Sequence, residues 1–183
     1  SKGVLLTGYR PVTHHDDVLA LLECQALVDL FRRLFDAPPA TFDNKWVRVH
    51  GTGEFTDEHT DFYRFQGTAS GMCTCWMPLN DYTVADGTLA VCEGSHHLSD
   101  ADTGEYGVDF KTELPPSFDE FNTDAVWRST DFRAGDLVIF DIRLVHASTV
   151  NTSDRFRLSM DTRWQPASAV DPGCVDQFRL FKA

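Results

Sequence analysis

Ala134-Gly135-Asp136-Leu137-Val138-Ile139-Phe140 states the pattern on which the fold is read: a turn signal, then a short apolar run with β-branched residues at its centre. Such a run is too short for a helix and suits a strand with both faces covered. The same grammar recurs along the chain, at Trp46–His50, Phe62–Phe65, 72–79, 87–92, 136–140 and 156–164. Gly51, Gly53 and Asp86-Gly87 punctuate the gaps. Many short strands separated by turn residues predict a sandwich or barrel.

Outside this region the pattern differs. Val18, Leu22, Leu27, Leu30, Phe31 and Leu34 recur at helical spacing, which predicts one helix over 16–35, opened by Thr13 and Asp16 and ended by Pro38-Pro39. It serves as packing support. The stretch 99–124 carries eight acidic residues and one lysine, with Pro115-Pro116, and no clear period. It is expected to be a surface excursion or a lid over the barrel mouth. No composition shift marks a boundary, so 1–183 is expected to be a single domain.

Charge narrows the possible functions. Sixteen basic residues against 28 acidic ones give a net charge of −12, a field that repels phosphate backbones and anionic membrane surfaces. No apolar run is long enough to span a bilayer, and Ser1-Lys2-Gly3-Val4-Leu5-Leu6 turns polar too early for a signal peptide. Five cysteines without a C-x-x-C pair favour a reduced, cytoplasmic protein. Cys73 and Cys75 are expected on one side of a strand as core packing, because no thiol or histidine pair follows at zinc-like spacing. The charge balance says nothing about a small pocket, where a few arginines could still dominate locally.

The segment Glu58-His59-Thr60-Asp61-Phe62-Tyr63-Arg64-Phe65 carries the chemistry. On a strand, residues two apart face the same way, so His59 and Asp61 could reach one ion. His146, at the end of the apolar run that begins at Leu137, supplies a second imidazole. Two imidazoles and one carboxylate on one face of an octahedron leave open positions, the arrangement of non-haem Fe(II) oxygenases. An isolated H-x-D is more often a surface feature, and His14, His15 and His50 also compete for a metal role. Tyr63 shares strand parity with His59 and Asp61, so it and Arg64 are candidates to face a substrate.

The surrounding motifs decide the matter. Trp76-Met77-Pro78-Leu79-Asn80-Asp81 leads to Asp86-Gly87-Thr88-Leu89-Ala90-Val91 and then Glu93-Gly94-Ser95-His96; the Gly135-Asp136 strand, His146-Ala147-Ser148 and Arg155-Phe156-Arg157 follow. This ordered set resembles the phytanoyl-CoA dioxygenase family of Fe(II)/2-oxoglutarate oxygenases, with the match running from about Trp46 to Pro166. The resemblance implies a mainly β double-stranded β-helix, a jelly-roll or cupin-like barrel with a core over about 46–166 and a supporting N-terminal helix. It implies His59, Asp61 and His146 as ligands of Fe(II), with 2-oxoglutarate and O2 as cosubstrates. An arginine 11 positions after the second histidine, here Arg157, would grip the distal carboxylate of 2-oxoglutarate. A planar guanidinium fork suits that task. Arg155 is the runner-up, though it reads as a turn residue pairing with Asp154. Ser148 and Trp76 match family positions beside the cosubstrate, while His96 reads as structural. The chain is short for the family, with the missing length expected at the N-terminal side.

The implied activity is hydroxylation of a small molecule, with oxidative decarboxylation of 2-oxoglutarate to succinate and CO2. A halogenase would replace the carboxylate ligand with glycine or alanine, and Asp61 argues against it. A non-catalytic cupin-like metal- or ligand-binding or sensor barrel is the alternative of a different class. The acidic stretch disfavours a polyanionic substrate such as an acyl-CoA and points to a neutral, zwitterionic or cationic one, with Arg64 pulling the other way.

Overall fold

A computed structural model of the chain describes residues 3–8, 10–65, 71–98 and 124–181. The alternation of residues along the strands builds two antiparallel sheets with a polar cleft between them. Among the described residues, β1 (Val4–Leu6), β2 (Pro39–Phe42), β3 (Trp46–His50), β4 (Cys73–Pro78), β7 (Val138–Asp141), β9 (Arg157–Pro166) and β10 (Phe178–Leu180) form the larger sheet. The smaller one holds β5 (Leu89–Cys92) between β6 (Trp127–Ser129) and β8 (His146–Ser148). β9 organises the larger sheet, pairing with β3 and β2 along one edge and with β4 along the other.

The sequence of β9 explains why both its faces are buried. Leu158, Met160 and Trp164 alternate with Arg157, Ser159, Asp161 and Arg163, and all but the partly covered Leu158 are buried. Met160 and Trp164, with Val47 of β3 and Cys73, Cys75 and Met77 of β4, pack against Leu27, Val28 and Phe31 of a helix. Phe31 stacks on Trp164 with ring centroids 4.4 Å apart. The polar set faces the other way, toward the smaller sheet. Period-two alternation thus puts apolar side chains under the helix and charged ones in the interior between the sheets. Cys73 and Cys75 fill the core as expected; burial pushes both thiols up to about 12, so they stay protonated and poor ligands.

The single helix expected over 16–35 is two helices, α1 (Asp16–Leu22) and α2 (Gln25–Phe35). The break has a long-range cause. Glu23 ends α1 with its carboxylate paired to the fully buried Lys45 at 3.1 Å and to Arg179, and Cys24 adopts an extended conformation to start α2. Thr13 does not cap the helix either: its hydroxyl donates to the Gly8 carbonyl at 2.6 Å, and His15 Nδ1 accepts from the Asp17 amide instead. The run Phe62–Phe65 is one turn of 3-10 helix and not a strand, because the Asp61 and Phe62 amides both donate to the Ile142 carbonyl and turn the chain. Residues 99–123, which include nearly all of the expected lid, lie outside the described residues.

Candidate metal centre

The two histidines meet through their backbones before their side chains do. His59 and His146 form an isolated antiparallel bridge, each amide donating to the other's carbonyl at 2.9 Å. The Asp61 amide donates to Ile142, four residues before His146, so the turn after His59 swings the carboxylate back toward the same point. The ligand-capable atoms of His59, Asp61 and His146 all lie within 4.8 Å of one another. The expected trio is therefore brought together, although by a bridge and a bend and not by parity along one strand. Tyr63 loses the parity argument with it: its backbone lies in the 3-10 turn, and its side chain is outside the described residues.

Hydrogen bonds fix which nitrogens face the centre. His59 Nδ1 donates to the Asp57 carbonyl at 2.8 Å and His146 Nδ1 to the Leu144 carbonyl at 2.9 Å. In the neutral tautomer this leaves Nε2 of each ring as a lone pair. Burial lowers both imidazoles, His59 to about 3, with His146 adding to the effect on His59. Burial pushes the Asp61 carboxyl up, but Arg163 and the two histidines outweigh it and hold it well below the usual carboxylate range. Two neutral imidazoles and one carboxylate, converging with Asp61 and His146 buried and His59 partly so, fit a divalent metal ion.

A second ring of charge surrounds them. Asp61 Oδ2 accepts from Thr74 Oγ1 at 2.7 Å and pairs with Arg163 Nη2 at 2.8 Å. Arg163 Nη1 also reaches Asp161 at 3.1 Å, and Asp161 is gripped by Arg48 through Nε at 2.9 Å and Nη2 at 3.3 Å. The sequence reading missed Arg48, Asp161, Arg163 and Thr74. The alternation of polar with largely apolar residues in β9 is the signal that could have found two of them.

A cleft between the sheets opens onto the centre. Its walls include His59, His146, Arg48, Trp76, Ser148 and Arg157. Arg157 is buried, donating from Nε to the Gly87 carbonyl at 2.8 Å, from Nη1 to Ser159 and from Nη2 to His50 Nδ1 at 2.6 Å. Gly87 has φ +86°, and a Cβ there would stand 3.1 Å from Asn151, so this carbonyl is presented by a turn that favours glycine. Ser148 Oγ accepts from the Thr56 amide at 2.8 Å. Trp76 both lines the cleft and belongs to the core, meeting Phe132 edge-on at 5.0 Å.

The other candidates stand outside the trio. Arg155 is half exposed, donates to the Asp81 carbonyl and lies 3.8 Å from Asp86, not paired with Asp154 as expected. Arg64 is exposed on the 3-10 turn, within electrostatic reach of Asp61 and Asp161. His14 contacts Thr13 and the Asp43 carbonyl, His15 caps α1, and the His96 ring lies tilted against His97. His50 is buried behind Arg157 and bonded to it.

The family model described as phytanoyl-CoA dioxygenase matches residues 8–159 of this chain. A 1-deoxypentalenic acid 11-beta-hydroxylase from Streptomyces arenae is 27% identical over 156 residues, covering 76% of this chain and 54% of the relative. The chain spans about half the length of the curated relatives it matches. Among solved structures, the non-heme alpha ketoglutarate dependent epimerase SnoN from nogalamycin biosynthesis superposes with TM-score 0.70 at 25% identity, covering 90% of this chain and 63% of that one. That epimerase has also been solved in complex with Fe3+, alpha ketoglutarate and nogalamycin RO. The carbocyclase SnoK shares the fold, with TM-score 0.73 at 20% identity over 99% of this chain and 76% of its own. No helix among the described residues is long and apolar enough to cross a membrane.

Proposed function

We propose, from the premise that this chain belongs to the phytanoyl-CoA dioxygenase family, that it is an Fe(II)/2-oxoglutarate-dependent oxygenase that hydroxylates a small molecule. The observation that carries the reading is the convergence of His59 Nε2, His146 Nε2 and the Asp61 carboxylate at the edge of a cleft that Arg157 also lines. His59, Asp61 and His146 would hold the iron. Arg157 would grip the distal carboxylate of 2-oxoglutarate, with Ser148 and Trp76 beside it.

The metal, when bound, supplies O2 activation coupled to decarboxylation of 2-oxoglutarate to succinate and CO2. The chain's own residues do the rest. Carbonyl acceptors at Asp57 and Leu144 keep each imidazole in its ligating tautomer. Arg163 and Thr74 hold Asp61 ionised and fixed in place. Trp76, Leu89 and Phe140 line the cleft with apolar surface and exclude water from the reacting centre.

Hydroxylation is favoured over halogenation because Asp61 supplies the carboxylate that a halide would otherwise replace. The hydroxylase relative supports the same outcome, while the epimerase and carbocyclase show that this fold hosts others. The acidic composition of 99–124 favours a small neutral, zwitterionic or cationic substrate over an acyl-CoA. The test is a candidate library screened for substrate-stimulated, Fe(II)-dependent succinate formation, with His59→Ala and His146→Ala in parallel. Both variants are expected to lose turnover. Full activity in either, at unchanged iron stoichiometry, would overturn the assignment of ligands.

A further inference from the structure

His50, the last residue of β3, has no place in the metal trio, yet it is buried and makes a short contact inside the cleft wall. We infer that His50 is a positioning residue for Arg157: its Nδ1 accepts from Arg157 Nη2 at 2.6 Å and fixes the guanidinium that faces the cleft. The inference rests on the reading of Arg157 given above and names what orients it.

The donor arithmetic supports it. A guanidinium has five N–H groups. Three are taken, by the Gly87 carbonyl, Ser159 Oγ and His50, which leaves one on each terminal nitrogen for a carboxylate. All three acceptors are neutral. Arg48 and Arg163, the other guanidiniums of this interior, are paired with Asp161 and with Asp61. Among the described residues no carboxylate is paired with Arg157, which leaves its charge to an anion that enters the cleft. An aspartate or glutamate at position 50 would orient it equally well but would neutralise it.

The imidazole is held in the form this needs. Because Nδ1 accepts, the ring proton sits on Nε2, which donates to Thr56 Oγ1 at 3.1 Å. Burial, then the charges of Arg157 and Arg48, push His50 down to about 3, so it stays neutral at ordinary pH. Thr56 in turn donates its amide to Ser148, and both residues line the cleft. The network therefore runs from Arg157 through His50 to Thr56 along one wall.

The experiment measures binding of 2-oxoglutarate and of pyruvate, a 2-oxo acid without a distal carboxylate, to the Mn(II)-loaded full chain by calorimetry. His50→Phe keeps the ring and removes both nitrogens. It should weaken 2-oxoglutarate about tenfold or more, as loss of a hydrogen bond to a charged group does, and leave pyruvate and Mn(II) affinity unchanged. His50→Asn places an amide oxygen where Nδ1 was and should restore 2-oxoglutarate binding, whereas His50→Gln, whose amide lies too far out, should not. Should the phenylalanine variant not fold, the asparagine and glutamine pair still decides. Adding His50→Phe to Arg157→Met should cause no further loss. Equal weakening of pyruvate and 2-oxoglutarate in His50→Phe would overturn the inference, because a merely structural role predicts it. If Arg157→Met weakens 2-oxoglutarate and His50→Phe and His50→Gln do not, the positioning role fails alone. If Arg157→Met leaves 2-oxoglutarate binding intact, the reading of Arg157 fails, and the inference with it.

Discussion

Arg163→Met is the perturbation that most sharply separates a built metal site from a chance cluster of charges. Arg163 is fully buried, pairs with Asp61 at 2.8 Å and Asp161 at 3.1 Å, and lies over the Trp46 ring at 4.6 Å. Methionine keeps the volume of the stem and removes the charge. Asp161 still has Arg48, so the loss falls on Asp61, which among the described residues keeps the Thr74 hydroxyl as a side-chain donor. Removing one partner of a buried pair costs about 3–5 kcal/mol. At roughly 2–4 °C per kcal/mol for a chain of this size, Tm in chelator should fall by about 6–20 °C. Mn(II) should then close much of the gap, since the ion supplies the positive charge that Asp61 has lost and ligand binding stabilises the folded state. Thermal unfolding of both proteins, in EDTA and in saturating Mn(II), reads both effects. A variant that melts with the wild type in EDTA, or a deficit that Mn(II) leaves unchanged, would show that Arg163 does not support a metal site at Asp61.

Three further outcomes follow from the same contacts. Arg157→Ala should raise the KM for 2-oxoglutarate by the equivalent of about 2–5 kcal/mol with metal affinity intact, while Arg155→Ala, at a half-exposed turn, should not; the reverse result would show that the wrong arginine was chosen. Asp61→Gly should open a metal position and abolish most hydroxylation, with bromide at the metal visible by anomalous scattering; a halogenated product from the wild type would overturn the hydroxylase reading. His50 is held neutral, titrating near 3 when folded and near 6.5 when unfolded, so the unfolded chain binds more protons between these values and stability falls as pH falls through them. The loss is up to about 1.4 kcal/mol per pH unit below 6.5, and His50→Asn should flatten that part of the profile; equal slopes would refute it.

What could be read from the sequence divides along the range of the interactions. The strands Trp46–His50 and Cys73–Pro78 were legible because apolar runs and turn residues are local signals, and their observed bounds lie on or within the expected ones. β1, β2, β6, β8 and β10 were not anticipated: they are three or four residues long, and β2 begins at Pro39, which read as a helix stop. The helix break at Glu23 was invisible because Lys45 and Arg179 cause it from a distance. His59, Asp61 and His146 were found through motif order, but the local geometry assigned to them was a strand, and the chain bends there because Ile142 accepts two amides. The supporting charges Arg48, Asp161 and Arg163 were missed because a charged residue in a strand reads as solvent-facing until both faces are known to be covered.

This chain is expected to hold iron between His59, Asp61 and His146, with 2-oxoglutarate reaching to Arg157. A crystal grown anaerobically with Fe(II) and 2-oxoglutarate, with data collected at the iron edge, tests it most directly. The expected result is a single anomalous peak bounded by the Nε2 atoms of His59 and His146 and the Asp61 carboxylate, with the distal carboxylate of 2-oxoglutarate on Arg157. Iron at any other cluster, or a distal carboxylate held by Arg48 or Arg64 in place of Arg157, would contradict it.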